Sequence, residues 1–306
     1  MTLSIVIVNW NTKDLVRGCL DSLPAGMGSS TSFETIVVDN GSVDGSVDLL
    51  RSRPDLVLVE NSRNLGFAAA VNQGYERSRA PLVLLLNSDV EPLPGSLGVL
   101  GEFLELHPEI AGAAPLYRNP DGSPQPFHFR FPTFTVTLAN ASAAIRKLPG
   151  TAARLRAFRM LDDDFSNPRP VPQPSASCLL LRRSALSPER IFDERYPIFF
   201  NDVQLARSLS GAGSELWVVP DAVVVHEGAA STRQLGGALK RQYVASAVRM
   251  LRETEPGRNV LAYRALVLLQ GLGLLLLRRP PRAMSLRDLV GALSGDPGPL
   301  PSKPQG

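Results

Sequence analysis

The most constraining feature of this chain is an apolar run that leads directly into an acid. Residues 82–86 read Leu-Val-Leu-Leu-Leu, and Asn87-Ser88-Asp89 follows at once. An apolar run without alternation is typical of a strand covered on both faces, as in the middle of a parallel sheet. Ligands of such sheets bind beyond the carboxyl ends of the strands. We therefore expect Asp89 at the rim of a crevice, although Asn-Ser-Asp is also ordinary turn chemistry after a strand.

The segments before residue 82 repeat one strand and helix unit. Apolar runs at residues 3–8, 34–38 and 56–60 each precede a polar turn and then a helix-like segment. Strands that alternate with helices predict βαβ units and a mostly parallel sheet. Asp39, which ends the second strand, should then share an edge with Asp89. No strand runs into a G-x-G-x-x-G sequence, so a dinucleotide site is not expected.

Composition and the cysteines favour a globular protein with a reduced core. The 306 residues are 44% hydrophobic, which is ample for a core. Cys19 and Cys178 have neither disulfide nor metal-ligand spacing, so both are expected to be reduced core residues. The amino terminus enters a strand without a basic segment or cleavage site, which predicts a cytoplasmic protein.

Four motifs in a fixed order carry a resemblance to a known family. They are Asn9-Trp10-Asn11 after the first strand, Ile-Val-Val-Asp-Asn-Gly-Ser-Val-Asp-Gly-Ser at residues 36–46, Asn-Leu-Gly-Phe-Ala-Ala-Ala-Val-Asn-Gln-Gly at 64–74, and Leu-Leu-Leu-Asn-Ser-Asp at 84–89. Over residues 3–231 the chain resembles the inverting family 2 glycosyltransferases. Within them it is most similar to the rhamnosyltransferase-like branch that builds bacterial surface polysaccharides.

The resemblance implies a donor site for a nucleotide-diphosphate sugar in a GT-A-like α/β fold over residues 1–231. It places Asp39 near the base, whose imide N–H a carboxylate can accept. It places Asp89 near a divalent cation, Mg²⁺ or Mn²⁺, because a carboxylate facing phosphates needs a cation between them. For Asn64-Leu65-Gly66 a plain loop into a helix is the alternative to a donor contact. The further donor-binding residues that the resemblance implies are Asn9, Asn11, Asn64, Gly66, Asn72 and Asn87.

The resemblance also implies the general base. Residues 192–206 resemble the family stretch Phe-Asp-Glu…Glu-Asp-Val-Asp-Leu, but the usual acidic pair is Asn201-Asp202 here. We therefore expect Asp202 alone to deprotonate the acceptor hydroxyl. The same residue would suit a helix N-cap, and the run at residues 162–164 is the reserve candidate.

A second metal ligand is implied near the end of the pattern. His226 follows Val-Val-Val and precedes Glu-Gly-Ala-Ala-Ser, which looks like the family's histidine after a strand. Neutral imidazole beside a carboxylate is a common ligand set, so the resemblance implies that Asp89 and His226 hold the cation. A histidine without that context is more often structural.

The carboxyl-terminal part differs in charge from the rest. Residues 1–231 carry 20 Lys+Arg and 25 Asp+Glu, a net −5, whereas residues 232–306 carry 12 and 4, a net +8. This division suggests that the tail, residues 232–294, meets something anionic. No nucleic-acid partner is expected. Residues 295–306 are Pro/Gly/Ser-rich and predicted to be disordered.

Two helices are predicted within this tail. Arg241, Ala245, Arg249 and Arg252 fall on one stripe of a basic helix over residues 234–252. Residues 260–277 are mostly apolar but are interrupted by Arg264, whereas a spanning helix needs about 20 apolar residues. We expect the tail to lie on the inner face of the cytoplasmic membrane. The alternative is a helix buried against the catalytic domain.

These observations predict a metal-dependent inverting glycosyltransferase that acts on a hydroxyl of a glycan or lipid-linked acceptor, with rhamnose as one candidate sugar. Two other classes stay open. A sugar nucleotidyltransferase would share the sheet, although Asn9-Trp10-Asn11-Thr12 is not the Gly-rich basic loop expected of one. A non-catalytic nucleotide-sugar-binding homologue is suggested by the missing acid at Asn201.

Overall fold

The computed structural model describes residues 2–28, 32–228, 231–276 and 285–301. Its strands and helices are numbered here in chain order. The strands are β1 (Thr2–Asn9), β2 (Ser32–Asp39), β3 (Leu56–Glu60), β4 (Leu82–Asn87), β5 (Val90–Pro92), β6 (Gly112–Arg118), β7 (Pro124–Gln125), β8 (His128–Phe129), β9 (Arg169–Pro170), β10 (Gln173–Pro174), β11 (Cys178–Arg182) and β12 (Leu216–His226). The α-helices are α1 (Lys13–Met27), α2 (Ser46–Arg51), α3 (Phe67–Arg77), α4 (Ser96–Leu106), α5 (Phe134–Ala141), α6 (Ala143–Arg146), α7 (Thr151–Phe158), α8 (Asn201–Gly211), α9 (Gly237–Thr254), α10 (Gly257–Leu276) and α11 (Leu286–Ser294).

A mixed, mostly parallel sheet forms the centre of the molecule. Its strand order is β3-β2-β1-β4-β11-β6-β12-β5, with β7 beside β6 and β9 beside β12. Strands β1 to β4 run parallel, and β12 is parallel to β6. Strand β11 lies antiparallel between β4 and β6. The predicted α/β class and the mostly parallel sheet are confirmed.

Strand β4 is covered on both faces, as its unbroken apolar run predicts. Leu82, Leu84 and Leu86 belong to one apolar cluster with side chains of α1 and α4. Val83 and Leu85 belong to a second cluster with side chains of α3 and α8. All five side chains are buried, so β4 carries Asn87 and Asp89 out of the core at its carboxyl end.

Strand β12 is long and has an irregularity in its pairing with β6. The structure has one continuous strand whose register against β6 shifts between Val219 and Val223. Pro220, which has no N–H to donate, lies at this irregularity. Strand β5 then pairs antiparallel with the end of β12, and Val90 lies opposite His226. This pairing sets Asp89 beside His226.

The tail helices pack against the rest of the protein. Tyr196, Phe200 and Val203 share an apolar cluster with buried residues of α9, α10 and α11. The inner face of α10 is therefore packed against the rest of the protein, as the alternative of a buried helix predicts. None of the helices formed by the described residues is long and apolar enough to cross a bilayer. The division into domains at residue 231 stays a prediction, and Leu277 of the predicted apolar segment lies outside the described residues.

The basic stripe of α9 faces the protein rather than an outside partner. Arg241 forms ion pairs with Asp288 and Asp296. Arg249 and Arg252 donate to backbone carbonyl groups at residues 294–295. These arginines therefore contact α11 and the segment after it, and the prediction that the tail meets an anionic surface stays a prediction.

The segment after α11 contacts α9 where the structure describes it. Gln242, which is fully buried, donates to the carbonyl groups of Pro297 and Gly298. The disorder of residues 295–306 stays a prediction. Residues 302–306 of the predicted disordered end lie outside the described residues.

Candidate active site

A cavity of about 330 Å³ opens at the carboxyl ends of β1, β2 and β4. Five of the residues predicted from the sequence line it together: Asn64, Asn87, Asp89, Asp202 and His226. They come from strand ends, a loop and a helix that are far apart in the chain. The prediction that Asp89 lies at a crevice beyond its strand agrees with this placement.

Asp89 and His226 lie side by side in the lining of this cavity. His226 Nε2 lies 3.5 Å from Asp89 Oδ1, and both side chains are almost fully buried. The backbone fixes the pair, because Glu227 N–H donates to the Asp89 carbonyl where β5 meets β12. On its other side, His226 Nδ1 lies 2.7 Å from Oε1 of Gln125 in β7.

This pair fits a divalent cation that is shared with a substrate. Within the described ranges, no three or more His, Cys, Asp or Glu side chains are grouped to hold a metal ion. A carboxylate and an imidazole would thus be the two protein ligands. Mg²⁺ usually keeps waters and is bound by one or two carboxylates together with substrate phosphates, so an incomplete protein ligand set suits a cation that meets a diphosphate.

Asp202 lies in the same cavity, at the start of α8. Its Oδ2 accepts a hydrogen bond from Gln173 Nε2 at 3.0 Å, and its Oδ1 accepts from Val203 N–H. Burial raises the pKa of Asp202 above its usual value of 3.8, and these hydrogen bonds offset the shift only in part. A carboxylate with a raised pKa is better suited to take a proton from a hydroxyl.

The neighbouring Asn201 has a structural task. It is buried, donates to the Ile198 carbonyl and accepts from Asp202 N–H. The helix N-cap is Phe200, in the left-handed region at φ 67°, and no side chain caps the helix there. Asn201 thus holds the turn that presents Asp202.

Asn9 and Asp39 form a buried scaffold behind the cavity. The Asp39 carboxylate accepts from Asn9 Nδ2 at 2.8 Å and from Ser42 N–H. Asn9 also accepts from Thr12, whose hydroxyl lies 2.8 Å from that of Ser88. This network connects the ends of β1, β2 and β4. Neither Asn9 nor Asp39 lines the cavity, so their contact with a donor stays a prediction.

Asn11 also braces this edge without lining the cavity. It adopts φ 51°, its side-chain oxygen accepts from Val43 N–H, and its own N–H donates to Ser42. Gln234 donates to its carbonyl group, which ties the segment after β12 to the end of β1. The predicted donor role of Asn11 stays a prediction.

The loop of Asn64 and Gly66 is closed by Asn40. Asn40 Nδ2 donates to Asn64 Oδ1 and to the Gly66 carbonyl, while Gly66 N–H donates to Asn64. Gly66 has φ 95°, and a Cβ there would meet Pro197 at 2.9 Å, so only glycine fits. The Gly66 amide is thus used within the loop, and its contact with a donor stays a prediction.

Asn72 connects α3 to the loop before α8. Its side chain accepts from the N–H groups of Ile191 and Phe192 and donates to the Phe192 carbonyl and to Glu194. It does not line the cavity, and its predicted donor role stays a prediction. In this structure Asn72 positions the chain that leads to Asp202.

The reserve acids at residues 162–164 lie elsewhere. Asp162 pairs with Arg156, and Asp163 with Arg130. Neither these two nor Asp164 lines the cavity, so the structure leaves Asp202 as the better-placed acid.

Comparison with known proteins decides the family. A family model described as "Glycosyl transferase family 2" matches residues 4–187, more than half of the chain. The chain belongs to glycosyl transferase family 2. It is therefore a glycosyltransferase, which removes the sugar nucleotidyltransferase as an alternative.

A curated relative and two solved structures agree with the family. The chain is 31% identical over 242 residues to the N-acetylglucosaminyl-diphospho-decaprenol L-rhamnosyltransferase of Mycobacterium tuberculosis, covering 75% of this chain and 77% of that protein. It resembles the mannosyltransferase PcManGT of Pyrobaculum calidifontis, solved with GDP-Man and Mn²⁺, at TM-score 0.54 and 16% identity over 95% of this chain and 86% of that one. It also resembles GalNAc-T7, solved with UDP, GalNAc and Mn²⁺, at TM-score 0.52 and 18% identity over 74% and 43% of the two chains. The fold is that of GT-A glycosyltransferases.

Several site residues were not found by sequence reasoning. Gln125 and Gln173 each hold a predicted site residue, but both lie in two-residue strands that no periodicity marks. Gln125 comes shortly after the turn-forming sequence Asp121-Gly122-Ser123, and Gln173 stands between two prolines. An isolated polar residue beside a turn or between prolines was the available signal. Trp10 and Phe199 also line the cavity of this family 2 enzyme, and both lie inside stretches that carry the family resemblance, Asn9-Trp10-Asn11 and residues 192–206.

Proposed function

We propose that this protein transfers a sugar, with inversion, from a nucleotide-diphosphate sugar to an acceptor hydroxyl in a metal-dependent reaction. One observation carries the proposal. A carboxylate–imidazole pair suited to a cation and a second carboxylate with a raised pKa lie in the walls of one cavity. These are the two groups that an inverting displacement requires, one for the leaving diphosphate and one for the attacking hydroxyl.

The residues divide the chemistry between them. Asp202 accepts the proton of the acceptor hydroxyl while the oxygen of that hydroxyl attacks the anomeric carbon of the sugar from the face opposite the leaving group. Gln173 and Val203 N–H hold the carboxylate in place during this transfer. A divalent cation bound by Asp89 and His226 would supply charge stabilisation for the departing diphosphate. The Mn²⁺ in the PcManGT and GalNAc-T7 structures supports this assignment.

The acceptor is proposed to be a hydroxyl of a glycan or lipid-linked saccharide. The mycobacterial relative is named for transfer of L-rhamnose to an N-acetylglucosaminyl-diphospho-decaprenol. The match spans 77% of that relative, and we carry its substrate class to this chain as part of the proposal, with rhamnose as the candidate sugar.

The enzyme is further proposed to work at the inner face of the cytoplasmic membrane. The inner side of α10 is buried, but Leu261, Leu269 and Leu272 are exposed on the opposite side, Leu269 by 70%. They fall on one stripe, and Arg258 extends it by a turn towards the amino terminus of the helix. An exposed apolar stripe in a tail of net charge +8 supports contact with an anionic lipid surface.

The metal site is tested by removing one ligand at a time. Asp89→Ala is expected to abolish Mn²⁺-dependent binding of a nucleotide-sugar while the protein stays folded, since Asp89 lies outside the apolar clusters. His226→Ala is expected to weaken the metal dependence less severely, because one neutral ligand is lost. Calorimetric titration of each variant with a nucleotide-sugar, with and without Mn²⁺, measures both effects.

Glu91→Ala is the matched control, because it removes an exposed carboxylate only two residues from Asp89. It should bind like wild type. Undiminished metal dependence in Asp89→Ala would remove the cation from this position.

A further inference from the structure

We infer that Gln125 is a positioning residue that fixes the tautomer of His226 and thereby prepares it to bind a cation. This inference rests on the proposed function, since it specifies how the proposed metal site is prepared. Gln125 does not line the cavity but contacts His226, so it acts through that residue.

The orientation of the Gln125 amide is set by two acceptors. Its Nε2 donates to the backbone carbonyl of His226 at 3.2 Å and to Asn119 Oδ1 at 2.8 Å. A backbone carbonyl can only accept, so the nitrogen end of the amide must face it. The oxygen end, Oε1, is then the atom that lies 2.7 Å from His226 Nδ1.

The amide oxygen decides where the imidazole proton is. An amide oxygen has no hydrogen to donate, so His226 Nδ1 must carry the proton in this contact. In the neutral ring Nε2 is then unprotonated, and it lies 3.5 Å from the Asp89 carboxylate oxygen Oδ1. An unprotonated nitrogen and a carboxylate oxygen repel each other, and a cation held by both would remove this repulsion. The arrangement is that of a ligand pair prepared for a cation.

A short hairpin supplies Gln125. Strand β7 pairs with β6 so that Gln125 lies opposite Tyr117. The turn between them is held by Asn119 and Ser123, and Gly122 adopts φ 82° there. Strand β12 pairs with β6, so the hairpin and the end of β12 meet at His226. The hairpin therefore acts on the metal site without contributing a ligand, as outer residues that orient metal-binding histidines do.

The test compares variants that keep or remove the acceptor atom. Gln125→Leu removes it, so the proton is expected to move to Nε2, where it can be donated to Asp89. Gln125→Glu keeps an acceptor oxygen and is expected to retain the wild-type tautomer. Arg118→Ala removes an exposed side chain of the same hairpin and is the matched control, which should leave the tautomer unchanged.

The first readout needs neither metal nor donor. Correlation of ring nitrogens and ring protons by NMR, in metal-free protein near pH 8.5 where ordinary histidines are neutral, identifies the tautomer directly. The chain has only three histidines, and the His226 signals are those lost in His226→Asn. The second readout is the dissociation constant of Mn²⁺ alone. It should rise about 10- to 100-fold in Gln125→Leu and return to the wild-type value in Gln125→Glu.

The outcomes separate this inference from the proposed function. A wild-type His226 protonated at Nε2 would overturn it, and this measurement does not depend on any variant folding. An unchanged tautomer in folded Gln125→Leu, or a changed tautomer with unchanged Mn²⁺ affinity, would overturn it as well. If wild type bound no Mn²⁺, the proposed metal site would be overturned, and with it the effect of Gln125 on cation binding. The tautomer of His226 would still show whether Gln125 fixes the position of its proton.

Discussion

At the residue scale, the role of Asp202 depends on a balance between desolvation and hydrogen bonding. Burial raises its pKa, and the hydrogen bonds from Val203 N–H and Gln173 lower it by less. A fully hydrogen-bonded surface carboxylate would be a weaker base. The fold therefore gives Asp202 what a general base needs, namely a raised pKa and a fixed position in the cavity.

Asp202→Asn is expected to lower kcat by about 10² to 10⁴, the usual contribution of a positioned general base. Donor affinity should stay nearly unchanged, because the amide has almost the same shape and the cation ligands are intact. Steady-state rates of sugar transfer and calorimetric donor binding measure the two quantities. Asp164→Asn, which alters an exposed acid outside the cavity, is the control. Full turnover in Asp202→Asn would place the base elsewhere.

The raised pKa of Asp202 predicts how the activity and the stability of the protein change with pH. In the proposed mechanism Asp202 must be ionised, so kcat should fall as pH decreases through its raised pKa, above the usual 3.8. For stability, the folded state holds this proton more tightly than the unfolded chain. The free energy of unfolding contributed by Asp202 is therefore lost as pH rises from 3.8 through the raised value. Asp202→Asn should remove both effects, which paired activity profiles and urea titrations would measure.

Residue positions were predictable where the backbone alone determines them. Asp89 follows a buried strand, and the position of a strand end gives the position of the ligand site. Gln125 was not predictable, because its contact with His226 spans 101 residues and depends on how a hairpin meets another strand. Asn72 resembled a donor contact in the sequence, yet its amide is used on the loop that precedes α8.

At the scale of elements, periodicity predicted helices but not the surfaces that they meet. The arginines of α9 lie on one stripe, as their spacing requires, but the stripe could face lipid, solvent or protein. The structure shows that it faces α11, which supplies Asp288, and the following segment, which supplies Asp296. Composition gave no sign of this, because only four acidic residues occur after residue 231.

Arg241→Ala is expected to loosen α11 and the segment after it. The Arg241 guanidinium is 16% exposed and pairs with two carboxylates there. Such a network stabilises a protein more than a single surface pair does, and its loss is expected to lower the free energy of unfolding by about 1 kcal/mol. Hydrogen exchange should show faster exchange in residues 286–301, and Tm should fall by about 2 °C. Arg258→Ala removes an arginine with no ion pair among the described residues and is the control. Unchanged exchange in Arg241→Ala would show that the apolar contacts of α11 are sufficient.

At the scale of the whole molecule, the charge division and the exposed apolar side chains both indicate the tail as the surface that meets a partner. Arg241, Arg249 and Arg252 are used within the protein, but they are only three of the 12 basic residues after residue 231. Among the large apolar side chains that the structure exposes, Leu261, Leu269, Leu272, Leu286 and Val290 all lie on α10 and α11. The overall fold was predictable because a parallel sheet follows from strand and helix alternation. The packing of the tail against the rest of the protein was not predictable, because it depends on Tyr196 and Phe200, which lie outside the tail.

The last prediction concerns membrane binding by the intact chain. It should co-sediment with anionic vesicles at low ionic strength, and binding should weaken as salt shortens the Debye length, because each basic residue near such a surface contributes about 1 kcal/mol. Replacing Leu261, Leu269 and Leu272 together by serine should reduce binding, since the stripe on α10 would no longer enter the lipid interface. Leu106→Ser, at a leucine exposed by 78% on α4, is the matched control.

Surface variants are preferable to truncation here. A chain ending at Ser231 would expose Tyr196, Phe200 and Val203, so its loss of solubility would say nothing about lipid. If the intact chain ignored anionic vesicles at low salt, or the triple serine variant bound as well as wild type, the stripe on α10 would not be the membrane contact. The enzyme would then have to meet a lipid-linked acceptor through another surface, because the arginines of α9 are already occupied.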